Sequence, residues 1–189
     1  TKAADELRER FRKDTKLDLS VINQMRICTI HSYCRSVLSD FSNIPYNLLK
    51  RDSERNLFFN KHKKELGFEG EAFLRSFESA QALKKYEEYA LFEVDTQGLV
   101  DYVEKEFPVS DGYRHWIKRH FDSTGQYPTK KEIKHLGYER DLYNARFLQI
   151  AKSYPLWIEL MEREHVCDQN YLLIKALELL SDDDKLKIA

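Results

Sequence analysis

The sequence predicts a mainly α protein, an irregular helical bundle with at most one or two short strands. Apolar residues recur at i, i+3 and i+4 over most of the 189 residues, and no period-2 alternation is long enough to build a sheet. Only four prolines and six glycines interrupt that pattern. An apolar content of 42%, with 13% aromatic residues, is enough for a packed core and argues against disorder.

Charge narrows the function classes. The chain carries 31 basic and 32 acidic residues, net −1, so no global field draws it to a polyanion and any such binding must come from local patches. Cys28, Cys34 and Cys167 form no CxxC pair and have no histidine at a zinc-ligand interval. They read as reduced core thiols of an intracellular, cytoplasmic protein. The six histidines are scattered, and no metal site is expected. The longest apolar run, residues 171–180, is interrupted by Lys175 and Glu178, so no membrane span is expected either. The length suits one domain or one and a half. The chain starts at Thr1 without an initiator Met and ends in Leu-Lys-Ile-Ala189, which reads as an excision from a longer protein.

Residues 1–13 read as a helix, with Ala3, Leu7 and Phe11 on one face and the pairs Glu6–Arg10 and Glu9–Lys13 on the wet side. A polar linker leads to a short apolar run, about residues 25–30, read as a strand. The chain then turns on Thr29, His31 and Ser32 into a helix whose Cys34, Val37, Leu38 and Phe41 form an apolar stripe. Strand, polar turn and helix in that order form a common ligand-binding arrangement of α/β proteins.

After Asn43-Ile-Pro45 the pattern becomes helical. Ser53 is placed to cap a helix carrying Leu57, Phe58 and Leu66, with Gly67 ending it. Phe73, Phe77, Ala80 and Leu83 form the next stripe, and Asp95 caps a helix through Val103 and Phe107 that Pro108 closes. Residues 113–121 interleave bases with aromatics, a pattern that suits nucleic-acid contact, while helical spacing favours a core stripe of Tyr113, Trp116, Ile117 and His120 with Arg114, Lys118 and Arg119 outside. Thr129 and Glu132 make a capping box after Pro128, Ile133 and Leu136 supply the apolar face, and Gly137 ends that short helix. A second helix from about Arg140, with Leu142, Ala145 and Leu148, completes a helix-turn-helix outline over 125–152. An ordinary αα-corner uses the same caps and turn. Pro155 is expected to break the chain before a helix with Trp157, Leu160 and Met161. Asp168 reads as the N-cap of a last helix bearing Leu172, Leu173, Ala176, Leu179 and Leu180, since no second carboxylate shares its face.

Three separated pieces carry a resemblance. Thr1-Lys-Ala-Ala-Asp-Glu-Leu-Arg-Glu-Arg10 resembles the motif Ia helix of UvrD/Rep/PcrA-type superfamily-one helicases, T/N-K-A-A-x-E-M-x-x-R. Thr29-Ile-His-Ser-Tyr-Cys34 resembles their motif Ic, T-F-H-S-F/M-C. Residues 166–180 resemble V-D-F-x-x-L-L-x-K-A-x-E-L-L, which precedes motif II, with Gln169 in place of an aromatic and Tyr171 in place of an acid. The three occur in the family's order.

The resemblance implies a division into residues 1–44, part of a RecA-like motor; 45–165, a helical insertion like the family's 1B subdomain; and 166–189, a helix returning to the motor. The strand would then be a remnant of a RecA-like parallel sheet, expected to be frayed, remodelled or paired with a second copy of the chain. The implied parent is an ATP-dependent DNA helicase, a magnesium-dependent ATP hydrolase moving 3′-to-5′ on single-stranded DNA in repair or recombination. Thr1, Lys2, Thr29, His31 and Ser32 match the positions that touch the single strand. Arg114, Lys118, Arg119, Lys130, Lys131 and Lys134 are the candidate contacts to duplex or fork DNA. No catalytic residue and no bound cofactor is expected here, because neither G-x-x-x-x-G-K-S/T nor a D-E-x-x-D/Q after the last helix occurs. The remaining partner implied is the rest of the helicase chain. Two other classes stay open, a non-catalytic helical interaction module and a helix-turn-helix DNA-binding regulator.

Overall fold

The computed structural model of the chain describes residues 2–14, 20–21, 25, 27–42, 45–68, 79–92 and 95–181. Among the described residues the fold is mainly α, with two short parallel strands. It divides into two compact units, one of Thr1–Tyr46 and Tyr171–Ala189, the other of Asn47–Asn170.

In the first unit α1 (Lys2–Asp14) is amphipathic and carries the expected ion pairs, Arg10–Glu6 at 2.7 Å and Lys13–Glu9 at 3.0 Å. Both pairs are exposed and hold the helix only weakly. In α2 (Ile30–Phe41) Cys34, Val37 and Leu38 are buried as the stripe predicts, and burial pushes the Cys34 thiol up. Cys28, expected inside, is exposed. The strand expected at residues 25–30 does not form among the described residues of that stretch, and Ile30 already belongs to α2. Among the described residues no strand pairs with this stretch. Its backbone instead closes on itself, Met25 N–H donating to the Val21 carbonyl and Ile27 N–H to the Met25 carbonyl, each at 3.1 Å.

The second unit opens with β1 (Asn47–Leu48) and closes with β2 (Val166–Cys167), paired in parallel. Between them lie α3 (Asp52–Lys61), α4 (Ser79–Leu91), α5 (Thr96–Glu106), α6 (Asp111–Thr124), α7 (Lys130–His135) and α8 (Glu139–Arg163). The last helix, α9 (Gln169–Ser181), follows β2.

One helix start differs from the sequence reading. α3 begins before Ser53, because the Glu54 carboxylate accepts the Lys50 and Arg51 N–H groups at 2.7 and 3.1 Å and so fixes the N-cap at Arg51. Phe58 and Phe59 are its inward residues, while Leu57 is 73% exposed. In α4 the buried positions are Ala82, Leu83, Tyr86 and Tyr89, with Ala80 on the wet face; Phe73 and Phe77 lie outside the described residues. The Asp95 cap forms as expected, accepting from the Gly98 N–H at 2.8 Å.

Helix α8 runs straight through Pro155, contrary to the expected break. Proline there costs about 3 kcal/mol through its missing N–H and its ring clash. Tyr154, Trp157, Leu160 and Met161 are all buried on the same helix, two of them within one turn of the proline. Each such burial stabilises by about 1.5–3 kcal/mol, so keeping the helix whole outweighs the local cost. Trp157 is the centre of an aromatic core, with ring centroids of Phe58, Phe59 and Tyr86 at 5.3, 6.2 and 5.4 Å. Val103 of α5 packs on Leu148 and Ala151 of the same helix. Asp168 directly precedes α9 and is buried. Burial, and after it the Asp168 charge, push the Tyr154 phenol up to about 12.

Candidate nucleic-acid interface

Three of the sequence-matched positions of the first unit, Thr29, His31 and Ser32, stand at the start of α2. Thr29 is its N-cap, with φ −74° and ψ 158°; its hydroxyl accepts the Ser32 N–H at 3.3 Å and donates to the Ser32 hydroxyl at 3.0 Å. The Tyr33 N–H is taken by the Thr29 carbonyl at 2.9 Å. The N–H groups of Ile30 and His31 belong to the first turn, where a helix supplies no acceptor. His31 and Ser32 are exposed, and Ile30 is 72% exposed beside them. Free amides, a partial positive end, a hydroxyl and an imidazole on one helix start can hold a phosphate. Lys2 begins α1, exposed and without an ion-pair partner among the described residues; Thr1 lies outside them.

In the second unit α6 and α7 flank an open groove of about 710 Å³ lined by Trp116, His120, Lys131, Lys134, His135 and Leu136, with Glu132 beside them. The sequence builds it in two steps. Ser110 caps α6 by accepting the Tyr113 N–H at 3.2 Å, and Gly125, at φ 68°, ends it. The loop then passes buried Pro128 to Thr129, whose capping box with Glu132 starts α7. Ile133 anchors that short helix in the core, fully buried, so Leu136 is turned into the groove at 50% exposure rather than packing inward as expected.

Trp116 stacks on Tyr138 at 5.5 Å and 29°, and its ring lies 5.8 Å from His120. Glu132 is not a free charge in this groove. It accepts the Thr129 N–H and hydroxyl, each at 2.7 Å, and those two bonds hold its carboxyl below the ordinary range. Lys131 has no carboxylate partner among the described residues, while Lys134 is 3.9 Å from Glu139. Cations beside an indole and two imidazoles form a surface on which phosphates are neutralised and a base can stack.

The six candidate duplex cations do not share one track. Lys131 and Lys134 line the α6–α7 groove, whereas Arg114 and Lys118 line a separate pocket between α6 and α8. Arg119 and Lys130 are exposed and line neither. Sequence reasoning missed His135 and Leu136 as site residues and ranked a core role for Trp116 and His120 ahead of nucleic-acid contact. The available signal was their spacing on α6, which leaves both rings half-buried at its edge.

A family model described as the UvrD/REP helicase N-terminal domain matches residues 1–189. No match was found among curated proteins or among solved structures. The motif order in the sequence, the predominantly helical fold and a family match along its whole length lead to one assignment: the chain belongs to the UvrD/REP helicase N-terminal domain family.

Proposed function

We propose that this chain is the DNA-engaging part of an ATP-dependent helicase that moves 3′-to-5′ along single-stranded DNA and opens duplex ahead of it, in DNA repair or recombination. The observation that carries the reading is the start of α2, where Thr29, His31 and Ser32 stand at an exposed helix N-terminus in the place of the family's motif Ic. Backbone amides and hydroxyls grip phosphate without reading bases, which suits a motor that must pass over any sequence. The α6–α7 groove adds a second, aromatic contact for the strand or for the fork.

The family implies ATP and magnesium, and these residues do not fit them. The described left-handed glycines, Gly67, Gly125 and Gly137, stand singly at the ends of turns and helices, so they form no continuous cradle of amides for a triphosphate. Among the described residues no three His, Cys, Asp or Glu side chains converge on a metal position. The hydrolytic step is therefore assigned to none of the residues described.

A helix-turn-helix regulator is the weaker reading. The helix after Gly137 starts Glu139-Arg140-Asp141, placing two carboxylates where a recognition helix would meet phosphates. Asp141 is also occupied, accepting the Ser110 N–H at 2.6 Å. Fluorescence anisotropy with forked DNA tests the proposal, comparing wild type with Lys2→Ala/His31→Ala. The double variant should bind about tenfold more weakly, with no preference among duplex sequences. Unchanged affinity would remove the α2 contact, and a strong sequence preference would favour the regulator.

A further inference from the structure

A second pocket, of about 400 Å³, lies between α6, the loop before α7 and the middle of α8. Ile117, Phe121, Tyr127 and Leu148 give it an apolar lining, and Phe121 and Tyr127 stack on each other at 4.4 Å and 28°. Three cations also line it, Arg114 and Lys118 one turn apart on α6 and Lys152 opposite on α8, with no carboxylate among the lining residues. A concave apolar site of this size with a few convergent charges is built for a ligand.

We propose that this pocket docks an acidic peptide segment of a partner protein, one aromatic or leucine-sized side chain filling it and flanking carboxylates meeting the three cations. The proposal is independent of the DNA reading above. A nucleobase is the poorer occupant, because the lining offers donors to its carbonyls but no carboxylate to accept its N–H groups. Gln149 also spends one Nε2–H on the Leu66 carbonyl at 2.9 Å. An apolar anchor leaves no such group unpaired.

Glu104 supplies the complementary charge within the protein. It meets Lys152 at 2.6 Å, and that hydrogen bond, followed by the charge of Lys152 and more weakly of Arg114, holds its carboxyl below the ordinary range. Both partners are about half exposed, so the pair is weak and a ligand carboxylate can take its place. Lys118 has no carboxylate partner among the described residues and is ready for one.

The test is anisotropy of a fluorescein-labelled peptide, rich in aspartate around one central phenylalanine, titrated with the whole chain. Saturable binding is expected, weakened about 30-fold when the peptide's phenylalanine is alanine. Lys118→Glu should weaken it about fivefold, whereas Glu104→Gln should tighten it by freeing Lys152. Ala145→Phe, which fills the pocket, should abolish it; Lys118 is exposed, so its variant reports even if the filled core fails to fold. Absence of saturable binding, indifference to the peptide's phenylalanine, weaker binding by Glu104→Gln, or displacement by oligothymidylate of matched charge would each overturn the proposal.

Discussion

Removing the Lys131 ammonium should change how DNA binding depends on salt. Each phosphate neutralised on a single strand releases counterions, giving a slope of about −0.7 in log K against log salt. Between 50 and 200 mM salt, one such contact is worth a factor of about 2.6 in affinity. Lys131 has no carboxylate partner among the described residues, so it brings a full charge, and Lys131→Ala should flatten the slope by about 0.7. Lys134 already shares its charge with Glu139 at 3.9 Å, so Lys134→Ala should flatten it less, and Glu139→Gln should steepen it. Lys105, on α5 and 83% exposed, lies outside the groove and serves as the control. The assay is anisotropy of labelled oligothymidylate across that salt range, with helicity checked by circular dichroism. A Lys131→Ala slope equal to wild type, or an equal change with Lys105→Ala, would refute the groove as a phosphate contact.

The buried Tyr86–Ser153 pair gives an asymmetric prediction. The Ser153 hydroxyl donates to the Ile150 carbonyl at 2.9 Å and accepts from Tyr86 at 2.6 Å. Ser153→Ala strands the Tyr86 hydroxyl and should cost about 1–3 kcal/mol in urea unfolding, whereas Tyr86→Phe/Ser153→Ala should recover part of that loss; a double variant less stable than the single one would contradict it. The Glu132 cap should weaken in acid. Its carboxyl is depressed by the Thr129 N–H, so its contribution is present above the ordinary value of 4.5 and disappears as pH falls through the lower folded value. Amide exchange at Thr129, corrected for intrinsic rate, should rise over that window in wild type and be insensitive to it in Glu132→Gln.

Local signals in the sequence were read correctly where one residue decides the outcome. Asp95 and Thr129 each act on one or two backbone groups of their own turn, and their chemistry is visible without a neighbour. The cysteine, valine and leucine stripe of α2 is likewise a property of one helix. One local signal failed, since the cap expected at Ser53 forms at Arg51, and the other failures were decisions taken between elements. Pro155 read as a break because its cost is local, while the burial of Trp157 that overrides it depends on Phe58, Phe59 and Tyr86, far away in sequence. Residues 25–30 read as a strand because an apolar β-type run says nothing of whether a partner exists. The actual ladder, Asn47–Leu48 on Val166–Cys167, is two residues long on each side and has too little pattern to be seen. The α6–α7 groove was half legible: its lysines stood out, but the rings that line it had the spacing of a core.

That short ladder also bears on how the second unit holds together. Asn47 pairs with Val166 and Leu48 with Cys167, so the segment enters and leaves at one neck. The Asn47 N–H donates to the His165 carbonyl and the Leu49 N–H to the Cys167 carbonyl, each at 2.8 Å. Beside the neck, Lys61 meets Glu164 at 2.7 Å and Arg163 meets Glu65 at 2.8 Å. Phe58, Phe59, Phe68, Tyr86, Tyr89, Tyr154 and Trp157 all lie between the two strands in sequence, and their rings pack on one another. A unit with adjacent ends and its own core is expected to fold alone. Residues 45–170 produced by themselves should therefore unfold in one cooperative urea transition and keep near-ultraviolet dichroism from the Trp157 cluster. A broad transition with strong binding of a hydrophobic dye would show instead that the core needs the rest of the chain, and that the neck only joins two parts of one folding unit.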